Sequence, residues 1–221
     1  MLPAVLAATL VALLPSGRAA ADPARGLSPA PAVPADRAGM TRACLVAAAE
    51  AEARLGLPPG VLAALAVIES AAHPFAIGSA SRPHYAANRE EALRAARSAG
   101  PGAAGGCFQI NIGVHARRDP SWVFDPWASA LFAGRMLARH AAATGNDWGA
   151  AVARYAGAGQ GSDAGRRQRC RVAASLAGLG HAPPRGLGTE GCGLADLRST
   201  RGKAVALAAR ASGPEAVAAL P

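Results

Sequence analysis

The sequence predicts an all-α fold, and three observations carry that prediction. Much of the 51% hydrophobic content is Ala, the strongest helix former. Aromatic residues make up only 4% of the chain, which argues against a large β-sandwich core. No stretch alternates strands and helices in the βαβ manner, and no internal repeat is visible. At 221 residues the chain has room for one domain with an appendage.

The elements follow in order. Residues Leu2 to Leu14 form an apolar run interrupted by one Thr and one Pro. That run is too short to span a bilayer but suits the core of an export signal, although no Lys or Arg precedes it. Ala19-Ala20-Ala21 before Asp22 supplies a small-x-small cleavage site. Residues 1–21 are therefore expected to be a signal peptide, with a buried core helix as the alternative. Residues 22–40 are Pro- and Ala-rich and read as a linker. A helix is expected from the cap Thr41 to Gly56, and a second from Pro58-Pro59 to near His73, since Pro74 disfavours helical geometry before it.

Gly78 to Tyr85 reads as loop. Asn88 to Ser98 carries a capping-box arrangement of Asn88 and Glu91, with too few apolar residues for a core helix. Gly100 to Gly106 reads as a flexible turn without the pattern of a phosphate-binding loop, and CFQINIGV after it as locally extended. Asp125-Pro126 opens a helix with Leu131, Phe132, Met136 and Leu137. Asn146 or Asp147 caps another with Trp148, Val152 and Tyr155 at helical spacing. Arg166 to Leu176 and Leu194 to Ala211 are expected as two further helices in a basic C-terminal extension, residues 161–221.

Four cysteines, Cys44, Cys107, Cys170 and Cys192, favour disulfides in an exported chain and allow three pairings, with Cys170–Cys192 preferred for their proximity in sequence. No CxxC or HExxH spacing suggests a metal site, and no cofactor is expected. The formal net charge of +9 would fall to about +8 on loss of residues 1–21, in which only Arg18 is charged. Such a balance suits anionic surfaces such as carboxylate-rich cell wall, or simply gives solubility. With export expected, nucleic acid is the poorest partner, and no later segment could cross a membrane.

Glu69 is the candidate catalytic residue. From Pro58 to Ile68 there is no charge; then this single carboxylate appears, followed by Ser70 and Pro74. Helical spacing places Glu69 on the face of Leu62 and Leu65. Burial there and the negative end of the helix dipole both disfavour the anion, which leaves an acid able to donate a proton near neutral pH. Glu50, Glu52, Glu90 and Glu91 sit among charges or at a helix start, and Asp125 and Asp147 look like caps.

Ile68-Glu69-Ser70 with Pro74 and Ala76-Ile77, Gly106-Cys107-Phe108-Gln109-Ile110-Asn111, and Ala153-Arg154-Tyr155 with Gly157 occur in that order. Together they resemble the three motifs of soluble lytic transglycosylase (SLT) domains, the goose-lysozyme-like branch of the lysozyme superfamily. The resemblance covers roughly Thr41 to Gly159 and implies a catalytic domain at residues 41–160. It implies cleavage of the β-1,4 bond between N-acetylmuramic acid and N-acetylglucosamine in peptidoglycan. It further implies that Glu69 acts first as acid and then as base, giving a 1,6-anhydro product, with Ser70, Phe108, Gln109, Asn111 and Tyr155 as substrate contacts. Four of these have a plainer reading: Ser70 finishing the helix, Gln109 and Asn111 bonding backbone, Tyr155 packing in the core. Ala156 stands where the family has Asn, and Cys107 where it has Leu.

The expected protein is thus an exported enzyme, periplasmic or secreted, acting on peptidoglycan strands. A hydrolase of the same bond and a non-catalytic wall-binding component of a secretion or flagellar machine are the alternatives. Arg166, Arg167, Arg169 and Arg171 either meet cell-wall carboxylates or form a solvated face.

Overall fold

The computed structural model describes residues 31–79, 83–100 and 102–217, with side chains to residue 212. The expected signal peptide and residues 22–30 of the expected linker lie outside the described residues. The helices are α1 (Arg37–Leu55), α2 (Val61–Ser70), α3 (Arg89–Ser98), α4 (Ile112–His115), α5 (Pro126–Ala142), α6 (Trp148–Tyr155), α7 (Asp163–Gly178) and α8 (Leu194–Val217). The strands are β1 (Ala76–Gly78), β2 (His84–Tyr85), β3 (Ala104–Gly105) and β4 (Ile110–Asn111). The fold is mostly helical, as expected.

Helix α1 starts earlier than Thr41. Its cap is Asp36, whose side chain accepts from the Gly39 N–H at 2.8 Å. Thr41 sits inside the helix and returns its hydroxyl to the Arg37 carbonyl at 2.9 Å. The helix ends at Gly56, which adopts the expected left-handed conformation with φ 63°.

Helix α2 is the centre of the molecule. Val61 to Ile68 and Ser70 are all buried, so the helix has no polar face, and it packs against α1, α5, α7 and α8. Its first turn is satisfied by Glu52 of α1. That carboxylate accepts from the backbone N–H groups of Gly60 at 2.6 Å, Leu62 at 2.7 Å and Ala63 at 3.1 Å. Glu52, which sits among charges in the sequence, is only 5% exposed, and burial raises its pKa against the pull of those three bonds. Gly60 precedes the helix at φ 84°, and a side chain there would also run into the His181 ring.

The end of α2 falls before His73, because Ala71 and Ala72 both turn left-handed at φ 56° and 50°. Each costs roughly 1–2 kcal/mol for a residue with a Cβ. The turn sends the chain back under the helix into β1. The four strands form a small antiparallel sheet in the order β2-β1-β3-β4, pairing Ala76 with Tyr85, Ile77 with Gly105 and Gly105 with Ile110. Two segments expected as loop and turn therefore each contribute a strand. Gly106, at φ 75°, leaves no room for a Cβ beside the Val123 carbonyl oxygen.

Asn88, Asp125 and Asp147 cap α3, α5 and α6 as expected, and Ser162 caps α7. The cysteines pair as Cys44–Cys107 and Cys170–Cys192. The first ties α1 to the segment before β4; the second ties α7 to the loop before α8. Helix α8 packs on α7 and α1, and the Arg42 guanidinium of α1 donates to its Ala211 carbonyl at 2.6 Å. Among the described residues no helix is long and apolar enough to cross a membrane.

Candidate active site

Glu69 stands in the last turn of α2, where a buried helix reaches the surface, and it is the partly exposed residue of that helix. The shared face with Leu62 and Leu65 does not single it out, because every face of α2 is covered. Its place at the helix end does. Burial raises the pKa of Glu69 above the usual carboxylate range; a hydrogen bond from Gln168 and the charge of Arg171 pull the other way. Burial is the largest of the three, so the proton is held more firmly than on a solvated Glu.

Gln168 was not among the residues singled out from sequence. It lies on α7, is 7% exposed, and its amide donates to Glu69 Oε1 at 2.7 Å. Three residues on, Arg171 extends over the same helix end, with Nη2 at 3.4 Å from the Ile68 carbonyl oxygen. The sequence held a signal for Gln168: it falls four residues before Val172 and seven before Ser175, both buried, so it is a polar side chain in an inward-facing stripe.

Tyr155, at the end of α6, donates its hydroxyl to the Phe108 carbonyl at 2.8 Å. Burial and the charge of Glu69 push its pKa well above that of an ordinary phenol. It is a neutral donor within electrostatic reach of the acid. Ser70 is 2% exposed, with its hydroxyl 2.8 Å from the Cys107 carbonyl and 3.2 Å from that of Ala66, and it accepts from the His73 N–H at 3.0 Å. Ser70 is thus a brace between α2 and the segment before β4, not a group open to sugar. Phe108, expected as a substrate contact, is completely buried in the main core.

Two consecutive carbonyls, of Cys107 and Phe108, are therefore held from α2 and α6. The next residue, Gln109, takes φ 48°, and its amide nitrogen donates to Gly106 O at 3.1 Å and Ala76 O at 3.3 Å. A non-glycine residue keeps this conformation only where its surroundings hold it there. Asn111 caps α4 through a 3.0 Å bond from the Val114 N–H and is half-exposed. The structure thus brings Glu69 and Tyr155 together with Gln168 and Arg171, gives Ser70 and Phe108 supporting places, and sets Gln109 and Asn111 on the strand side.

The chain matches the family model of the transglycosylase SLT domain over residues 47–174. The match takes in Glu69, the Gly106–Asn111 segment, Tyr155 and Gln168, and leaves α8 beyond it. No curated protein and no solved structure matches the chain.

Proposed function

The chain belongs to the transglycosylase SLT domain family, whose type of activity is peptidoglycan cleavage, and from that premise we propose that it is an exported lytic transglycosylase with Glu69 as its single acid and base. One observation carries the reading: Glu69 is a partly buried carboxyl whose pKa burial raises, and the charge that acts on it is the cation Arg171. Glycosidases that deliver water or form a glycosyl-enzyme use two carboxylates. A lone acid suits a reaction in which the substrate supplies its own nucleophile.

In this mechanism the Glu69 proton passes to the glycosidic oxygen between N-acetylmuramic acid and N-acetylglucosamine, and the C1–O bond breaks. The acetamido group of the muramic residue stabilises the cationic centre. Glu69, now a carboxylate, takes the proton of the muramic C6 hydroxyl, whose oxygen bonds to C1 and closes the 1,6-anhydro ring. The proton returns to Glu69 and no water is consumed. Gln168 holds Oε1 through both steps, and Arg171 favours the carboxylate formed after the first. Gln109, Asn111 and Tyr155 are the proposed sugar-facing groups. Two disulfides fit an exported protein.

Digestion of purified sacculi followed by mass spectrometry tests the proposal. Products one water lighter than hydrolysis products, absent with Glu69→Gln, are expected. Cleavage that survives Glu69→Gln would sink it.

A further inference from the structure

A cavity of about 400 Å³ lies between α7, the loop closed by Cys170–Cys192 and the start of α8. Arg166, Arg167 and Arg171 line it from α7, and Asp196, Ser199 and Thr200 from α8. Three arginines thus share the cavity wall with one aspartate and two hydroxyl-bearing residues. Arg166 keeps one hand on Asp163 at 2.9 Å, whereas Arg167 has no ion-pair partner among the described residues. Arg171 is a shared wall, since its charge also acts on Glu69.

The positive charge continues past the cavity. Lys203 of α8 is pushed toward its neutral form by burial and then by Arg171 and Arg37, and Arg37 by burial and then by Arg210. Cations crowded in this way weigh against the free protein, and a bound anion relieves them. Helix α8, which supplies Asp196, Leu197, Ser199 and Thr200 to the lining, lies beyond residues 47–174, so this wall of the cavity is an addition to the matched domain.

We propose that this cavity binds the free carboxylates of the peptide stems carried on muramic residues, so that the chain favours strands bearing uncapped peptides beside the bond it cuts. The inference rests on peptidoglycan being the substrate. Guanidinium forks match carboxylates in a two-point geometry, and the hydroxyls of Ser199 and Thr200 complete a site for such a group. The shared Arg171 sets this anion site next to the acid.

The test is equilibrium binding, which is independent of cleavage. The full chain is titrated by calorimetry with a disaccharide-peptide muropeptide, and with the same compound after its carboxylates are converted to methylamides. Amidation is expected to weaken binding about tenfold, and the double change Arg166→Ala with Arg167→Ala to weaken only the free acid, by a similar factor. Arg167→Lys should recover part of the loss. Equal affinity for the two compounds overturns the inference, as does wild-type binding by the double variant. So does displacement by inorganic phosphate without any response to amidation, which would assign the cavity to a phosphate polymer. Intact binding without cleavage of sacculi would instead count against the proposed activity alone.

Discussion

The side-chain amide of Gln168 on α7 reaches across to Glu69 on α2 and donates to its Oε1 at 2.7 Å, joining residues 99 positions apart. A donor on a carboxylate favours the anion, so this bond moderates the raised pKa that burial imposes. Gln168→Leu should therefore raise the Glu69 pKa further and shift the alkaline limb of the kcat/KM profile upward. Loss of orientation should also lower kcat, on the order of tenfold. A pH–rate profile unchanged in shape would show that the bond plays no part in holding the acid.

Glu69 should cost the protein stability. Its folded pKa lies above its unfolded value, so the folded state binds the proton more tightly. Stability is then highest below the ordinary carboxylate range and falls as pH rises through that range to the folded pKa. Glu69→Gln removes this dependence while keeping an acceptor for Gln168. The variant should melt above wild type at pH 7 and match it near pH 4, measured by calorimetry at both pH values; a difference of the opposite sign would contradict the burial described for this side chain.

Ser70 and Tyr155 hold adjacent carbonyls and should behave as a coupled pair. Ser70→Ala leaves the His73 N–H and the Cys107 carbonyl short of a partner, and Tyr155→Phe does the same for Phe108. Each should cost about 1–3 kcal/mol. Since both fix one segment, the double variant should lose less than the sum, which a denaturant double-mutant cycle would show. Strict additivity would mean the two bonds act separately.

Glu52 is a buried acid whose task is structural. Its carboxylate takes three backbone N–H groups at the start of α2. Glu52→Ala should destabilise the chain by about 2–4 kcal/mol through the orphaned donors. At a temperature where the variant stays folded, its pH–rate profile should keep the wild-type shape. A changed profile would place Glu52 in the chemistry.

How far the sequence disclosed this arrangement depended on distance along the chain. Glu69 was legible because a lone charge ends an uncharged run, and burial does raise its pKa. The caps at Asn88, Asp125 and Asp147 were legible because capping is decided within four residues. Glu52 was misread for the opposite reason: among Glu50 and Arg54 it looked like one more surface charge, and only the folding of α2 onto α1 gives it three donors. The strands were too short to show alternation, at two or three residues each. Ser70 and Phe108 sit within matching motifs, yet a motif does not reveal whether a side chain faces ligand or core.

The two disulfides bear on the order of assembly. Cys44 joins Cys107 and Cys170 joins Cys192, so each cysteine is bonded to its neighbour along the chain, and the two covalent loops follow one another without overlap. Among these four cysteines, a polypeptide that emerges with its N-terminus first presents Cys107 while Cys44 alone awaits a mate. The same holds later for Cys192 and Cys170. Correct pairing is therefore the pairing that sequential emergence favours, and the Cys44–Cys107 bond beside the Glu69 site can be locked before helices α5 to α8 have appeared.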